Sequence, residues 1–497
     1  MDAIRINPKD DVAVALEPIA AGTRLGLPDI DVTACEDIPL GHKIALRGMP
    51  AGHVVTKYGQ PIGALTCDVA AGCHVHTHNL KTLLQDTGSY TYDPVPCELA
   101  RMQPDTFKGY RRADGRVGIR NELWIIPTVV CVGGIGRAMA HAAQHLVAGS
   151  VEGVHCFEHP FGCSQVGGDL QQTARTLAGL VRHPNAGGVL VLSLGCEELT
   201  EDLLREHLGD ADLSRVRFLR CQDVEDEKAQ GAQLLEELAA LMAADEREDV
   251  PASELIIGLE CGGSDGLSGI TANPVIGRVS DCIASQGGTS VLTEVPEMFG
   301  GEAFLLNRCC DRATFDAAVA MVNGFKAYFT AHGAPVYDNP SPGNKAGGIT
   351  TLEDKSCGCV QKGGTASVRG VVAEYGAPVS SVTDGGLVLY STPGNDPSSV
   401  TGLAAAGCHL VLFSSGRGTP FEAPVPTVKV SSNSELARHK SGWIDFNAGV
   451  IADGERSIDE AGEDLYQLVL RVASGKQTKS EARGIQGISI WKDGVYL

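Results

Sequence analysis

Aromatic residues are scarce in this chain: 12 Phe, 10 Tyr and 3 Trp, against 61 Gly and 24 Pro. Such a balance suits many junctions between strands and helices with short turns between them. Positive charge is in deficit as well, with 40 Lys and Arg facing 61 Asp and Glu, a formal net charge of -21. That excess speaks against a nucleic-acid groove or an anionic membrane surface as the main partner. It leaves room for an acidic small molecule, since a few local cations and backbone N–H groups can hold a carboxylate. Long apolar runs are missing, so no membrane span is expected. Residues 1–20 alternate charged and apolar side chains without the hydrophobic segment of a leader, and a cytoplasmic protein is expected. Cysteine is the exception, at 16 residues, but the spacings are scattered. With thiols kept reduced, cysteine here signals packing, metal or catalysis rather than disulfide staples.

At 497 residues the chain calls for two to four domains. Residues 1–85 read as a small all-β module, with short β runs separated by a recurring turn that ends in Gly22, Gly41, Gly52 and Gly72. Its last segment, HVHTHN, sets His74, His76 and His78 at alternate positions. In a strand, that spacing places three imidazoles on one face, near enough to share a divalent ion. The plainer alternative is a solvent-facing strand end. Residues 86–108 lose periodicity and read as a linker. Residues 109–250 alternate strands (123–132, 154–158, 188–195, 216–219) with helices (135–148, 170–182, 198–208, 224–244), the pattern of a parallel sheet covered by helices. Gly133-Gly134-Ile135-Gly136 resembles a dinucleotide fingerprint, but no acidic residue follows at the expected distance. Residues 251–497 restart the alternation. The fold class is therefore α/β multidomain, with the β module leading two domains of largely parallel sheets.

The stretch around which the rest is organised is LIIGLECGGSDGLSGITANPVIG, Leu255 to Gly277. A β-leaning run empties into Gly262, Gly263, Ser264 and Asp265, and Asn273-Pro274 opens a helix. A glycine-rich loop after a buried strand leaves N–H groups free to face an anion. A tight strand-to-helix turn is the bland alternative. Two further loops follow the same logic: a Pro- and Gly-rich one over 333–350 that carries Lys345, and 414–420 with Arg417 among free amides. Together they predict a common cleft in which Gly262, Gly263, Ser264, Lys345 and Arg417 bind substrate. Cys163, Cys196 and Cys261 each sit in a glycine turn near a strand end, as catalytic groups, as ligands of an iron–sulfur cluster, or merely buried. Glu197 beside Cys196, Asp265 and a histidine are the candidate general bases.

Longer motifs carry a resemblance over essentially the whole chain. GHKIAL, HVHTHN, YRRADGRVGIRNELWI, HPFGCSQ, VRHPNAGGVLVLSLGCE, LECGGSDGLSGITANP, LTEVPEMFG, NPSPGNKAGGITTLEDKS, SSGRGTP and WIDFNAG all resemble the altronate/galactarate dehydratase family. The β module resembles the SAF (β-clip) domain that some relatives carry as a separate subunit. HVHTHN and TEVPEMFG resemble the altronate branch. The resemblance implies removal of water from D-altronate to give 2-dehydro-3-deoxy-D-gluconate, assisted by Fe2+ or Mn2+. It also leaves open galactarate, sulfolactate or another hydroxy acid as substrate. The partner implied is a small sugar acid, and a homo-oligomer is expected.

Overall fold

The structure is a computed structural model and describes residues 2–27, 30–85, 87–99, 102–382 and 385–495. The N-terminal module holds two small antiparallel sheets. One orders the strands Ala3–Ile4, Val12–Ala15, Lys43–Ala45 and His74–Val75; the other orders Val54–Lys57, Gln60–Leu65 and Leu80–Lys81. The recurring turn has a backbone cause: Gly22, Gly41, Gly52 and Gly72 all take positive φ, between 79° and 85°, where a side chain is strained. Two apolar clusters lie wholly within the module, and a third joins Tyr58 and Val14 to Leu267, Ile270 and Cys357 of the C-terminal region.

Residues 82–105 form no helix or strand among the described residues, and Asp86, Ala100 and Arg101 of the expected linker lie outside them. The segment is nonetheless strapped down. The Tyr90 hydroxyl donates to Glu302 at 2.8 Å, the Tyr92 hydroxyl to the Cys309 carbonyl at 3.0 Å, and Leu84 and Met102 pack on the core.

The two following regions are built on parallel sheets. The first has the order Gly153–Cys156, Glu122–Pro127, Ala186–Ser193, Val216–Arg220. Its helices are Gly133–Ala142, Gly168–Val181, Glu201–Leu208 and Glu227–Met242, at the expected places; the first two begin two residues early and the last two three residues late. The strand expected over 123–132 stops at Pro127, and Val130–Val132 forms a 3-10 turn. Gly136 of the GGIG stretch serves packing: a Cβ there would stand 2.8 Å from the Cys156 sulfur, so helix and strand meet only because it is absent.

The second sheet has seven parallel strands in the order Val368–Val372, Gly386–Tyr390, Thr289–Leu292, Ile256–Cys261, Leu410–Ser415, Thr427–Ser431, Phe446–Asn447. Helices Ala272–Ser285 and Ile458–Ala473 cover one face. On the other, Gly168–Val181 of the first region packs against Asp396–Ala405, so closely that a Cβ on Gly179 would meet the Ala405 carbonyl at 2.4 Å. One apolar cluster runs through both sheets, from Trp124 and Val191 to Val388 and Phe413. No helix is long and apolar enough to cross a membrane among the described residues.

Candidate active site

The central strand Ile256–Cys261 pairs with Thr289–Leu292 on one side and Leu410–Ser415 on the other. After the central strand the chain builds the first side, then crosses to the second. That makes a topological switch point, and a crevice opens beyond the strand ends there. The glycine loop leaves the central strand at this point, and the Arg417 loop leaves its neighbour. They are stitched together: the Gly262 N–H donates to Ser414 O at 3.0 Å, and those of Gly416 and Arg417 donate to Gly263 O at 3.1 and 3.0 Å. The 333–350 segment is not a bare loop. It contains a short helix, Pro342–Ala346, capped by Ser341, which makes a local turn cheaper than an open coil. Asn344 from this helix donates to Ser264 O at 2.8 Å, and the Gly266 N–H donates to Gly347 O at 2.7 Å. The three loops enclose a cleft of about 290 Å³ lined by Asp265, Gly347, Gly416 and Arg417 from these loops and by Leu40 and Gly41 from the β module.

Of the candidate residues, Asp265 and Arg417 line this cleft, whereas Gly262, Gly263, Ser264 and Lys345 are not among its lining, and they differ in kind. Gly263 is exposed and left-handed at φ 66°, and a Cβ there would keep 3.4 Å from Ser415 Oγ, so backbone conformation and not crowding demands glycine. Gly262 is the reverse, since its Cβ would lie 1.9 Å from Asp396 Oδ2. Ser264 is buried, with a hydroxyl that has no partner. Lys345 is half-buried and Arg417 exposed. Asp265, a candidate base, has its carboxylate filled. It accepts from the Leu267 and Ser268 N–H groups at 3.2 and 2.9 Å, from the Ser268 and Ser432 hydroxyls at 2.8 Å each, and from Asn433 at 3.1 Å.

Glu197 is equally occupied, in the other sheet. It accepts from the Thr128 hydroxyl at 2.7 Å and from the N–H groups of Leu194 and Gly195 at 3.1 and 2.6 Å. Burial opposes its ionisation, but these donors outweigh it and hold the carboxyl below its ordinary value. Cys163 and Cys196 follow strands of the four-stranded sheet, half-buried and exposed, whereas Cys261 ends a strand of the seven-stranded one. Among the described residues, no group able to hold a metal joins Cys261 to Cys163 or Cys196.

The histidine segment departs from a single strand. Pairing stops at Val75, His76 begins a turn, and His78 is exposed. What the fold assembles instead is His42, His74 and His76, each offering a nitrogen within 4.8 Å of the others. His42 Nδ1 stands 3.0 Å from His74 Nε2, and its Nε2 is 3.3 Å from the Ala346 carbonyl, which ties the module to the cleft. The His78 ring sits beside His74, with centroids 5.3 Å apart, outside the trio. Burial lowers the His42 pKa; it pushes His74 down to about 4, helped by His42, and His76 to about 3, helped by Lys43. Imidazoles so held are neutral at ordinary pH, which is the ligating form. His76 Nδ1 is buried without a partner. Three neutral imidazoles, one of them with an unpartnered buried nitrogen, have the donor set to hold a divalent ion. Behind them Asp354, fully buried, bridges Lys43 and Lys57 at 2.8 and 2.9 Å.

Beneath the glycine loop lies a buried polar nest. Cys261 Sγ is 3.6 Å from Cys359 Sγ, donates to Glu297 Oε2 at 3.0 Å and accepts from Lys362 at 2.8 Å. Cys359 and burial push the Cys261 thiol well up, so it is no ready nucleophile at neutral pH. Glu297 also pairs with Lys355 at 2.5 Å; burial works against its charge, but Lys355 and Lys362 hold it down to about 2. Glu260, Glu294 and Asp396 converge alongside, with the Thr293 hydroxyl donating to Glu260. Burial, with Asp396 opposite, raises Glu260 to about 8, and burial raises Asp396 to about 6.

Residue-level reasoning missed His42 and most of this nest. Their signals were present: His42 in GHKIAL, Glu294 and Glu297 in LTEVPEMFG, and Lys355 in TTLEDKS. Cys359 was visible only in a Cys-Gly-Cys pair too closely spaced for a redox or zinc motif. What was lacking was any indication that these segments meet.

Three family models cover the chain. "D-galactarate/Altronate dehydratase, C-terminal" matches residues 252–496, "D-galactarate dehydratase/Altronate hydrolase, second domain" matches 109–243, and "Altronate/galactarate dehydratase SAF domain" matches 1–83. The altronate dehydratase of Escherichia coli K12 is 50% identical over 100% of both chains. That of Bacillus subtilis 168 is 47% identical over 99% of both. The L-threo-forming galactarate dehydratase of Escherichia coli K12 is 32% identical, covering 95% of this chain and 93% of its own.

Proposed function

The chain belongs to the D-galactarate/altronate dehydratase family and is a hydro-lyase, and on that premise we propose that it converts D-altronate to 2-dehydro-3-deoxy-D-gluconate. The choice of altronate rests on identities of 50% and 47% to altronate dehydratases against 32% to the galactarate enzyme. The observation that carries the site assignment is the meeting of the glycine loop, the Arg417 loop and the histidine module around one cleft at the switch point.

The reaction removes a weakly acidic proton from C2, beside the carboxylate, and the hydroxyl from C3; the enol then tautomerises to the 2-keto acid. His42, His74 and His76 would hold the Fe2+ or Mn2+ that the family resemblance implies. That ion, when bound, would grip carboxylate and hydroxyl oxygens and stabilise the negative charge that grows as the proton leaves. Arg417 and Lys345 offset the substrate carboxylate in an otherwise acidic protein. Gly263, exposed and left-handed, lets a polyol hydroxyl approach the main chain of the loop. Asp265 positions the loop, since its acceptor sites are already used. Of the candidate bases, Asp265 and Glu197 are both filled by donors, which leaves a histidine.

The test is turnover across a panel of sugar acids with metal-reconstituted protein. Altronate should exceed galactarate and sulfolactate by at least about tenfold in kcat/KM, the margin of a single well-placed polar contact. Equal or preferred turnover of galactarate would refute the substrate assignment.

A further inference from the structure

The buried carboxylates beneath the glycine loop take no part in the reaction as drawn, yet they are the most unusual charges in the chain. Glu260, Glu294 and Asp396 each place an oxygen within 4.8 Å of the other two. Glu260 and Glu294 are 1% and 3% exposed, and Asp396 alone is half-buried, which leaves one side of the group open to the exterior. Two oxygens have nothing to bond to: Glu260 Oε1 and Glu294 Oε2 are buried and without a partner. An unpaired carboxylate oxygen in a protein interior is costly, and the cost falls when a proton or a cation takes the place of the missing partner.

Charge makes the same case independently. Together with Glu297, the nest holds four carboxyl groups, and the cations that face them are Lys355 and Lys362. Glu297 is already committed, to Lys355 at 2.5 Å and to the Cys261 thiol at 3.0 Å. Four negative charges against two positive leave two uncompensated, which is the charge of one divalent cation.

We propose that Glu260, Glu294 and Asp396 form a second cation site, selective for a hard divalent ion held through oxygen alone. The donor set decides the class: three carboxylates with no nitrogen or sulfur favour Mg2+, Mn2+ or Ca2+ over softer ions. The span suits these radii, since opposite oxygens around such an ion stand about 4 to 5 Å apart. The site lies directly under Gly262, where even a Cβ would strike Asp396 Oδ2 at 1.9 Å, so an ion there fixes the floor of the glycine loop. It does not depend on the histidine trio or on the substrate assignment.

The experiment uses Mn2+ alone as the probe, on chelator-stripped full-length protein carrying His76→Ala, which removes one imidazole of the other set. Loss of the free Mn2+ paramagnetic signal is titrated at pH 8. The expected result is uptake of about one equivalent, weakened at least tenfold by Asp396→Asn, whose partly exposed position favours retention of the fold. Competition by Mg2+ or by Ca2+ then separates the two ion sizes. No uptake by His76→Ala, or uptake unchanged by Asp396→Asn in a variant with unaltered circular dichroism, overturns the proposal. Independent of any variant, a manganese anomalous peak in crystals of the unsubstituted protein should touch Glu260, Glu294 and Asp396. A soaked crystal with density on the histidines alone would equally overturn it.

Discussion

Asp265→Asn separates a positioning carboxylate from a catalytic one. The substitution preserves shape and changes only charge and one acceptor. In the native chain both oxygens are used: Oδ1 by the Leu267 and Ser268 N–H groups and the Ser268 hydroxyl, Oδ2 by Asn433, and both by the Ser432 hydroxyl. These bonds tie the glycine loop to the loop after Thr427–Ser431, so the cleft wall depends on them. In the variant, the amide oxygen can keep the local N–H donors. The amide nitrogen then faces Asn433 Nδ2, donor against donor. One bond is lost, one donor is stranded, and the remaining bonds lose their charge assistance, for about 2–4 kcal/mol in all. For a domain of this size that is a melting temperature lower by roughly 5–10 °C. Because the loop itself loosens, KM should rise together with the fall in kcat. Scanning calorimetry and steady-state kinetics on the same preparation check both. An unchanged melting temperature with unchanged KM and a kcat lowered by about a thousandfold, the size of a lost general base, would show that Asp265 handles a proton and that the positioning argument is wrong.

His76→Ala should lose stoichiometric iron or manganese from the histidine trio while keeping its circular dichroism, as read by elemental analysis; full activity with metal retained would sink the ligand assignment. Asp354→Asn strands the buried Lys43 and Lys57 ammoniums and should cost about 3–5 kcal/mol. The loss should appear as faster proteolytic cleavage within 82–105 and release of the β module, and unchanged cleavage would show that the module is held by other contacts. Glu422 is fully buried, and burial, with Glu481 nearby, pushes its carboxyl up to about 9 from an ordinary 4.5. Between those values the folded chain keeps a proton that the unfolded chain has released. Stability therefore falls as pH rises through this window, by up to about 1.4 kcal/mol per unit. Glu422→Gln should flatten the decline of melting temperature between pH 5 and 9, and an identical slope would rule Glu422 out as its source.

Much of the fold was legible because it is written in local chemistry. The turns ending in Gly22, Gly41, Gly52 and Gly72 repeat because one backbone conformation repeats, and it excludes side chains. The alternating apolar runs and amphipathic stretches gave most parallel strands and helices with shifted ends, as at Pro127, where a strand becomes a 3-10 turn, but not the antiparallel sheet of Glu248–Pro251, Thr106–Arg111 and Val117–Gly118. The glycines after the strand Ile256–Cys261 were legible as a turn for the same reason: Gly263 takes a positive φ and Gly262 has no room for a Cβ. His78 was misread because alternation assumes a strand, and here the turn at Thr77 and Asn79 ends it, with Asn79 bonding back to the His76 N–H and the His74 carbonyl.

The sequence by itself determined the fold class and the family, since both depend on residues close together in the chain. Tertiary structure alone decided the partners. His42 reaches His74 across 32 positions, Cys261 meets Cys359 across 98, and Lys43 meets Asp354 across 311. It also decided roles, because whether Asp265 or Glu197 is free to take a proton depends on which donors already fill it. Those donors arrive from Ser432, Asn433 and Thr128, brought there by strand order and crossover, and no local pattern encodes which segments a sheet will place side by side.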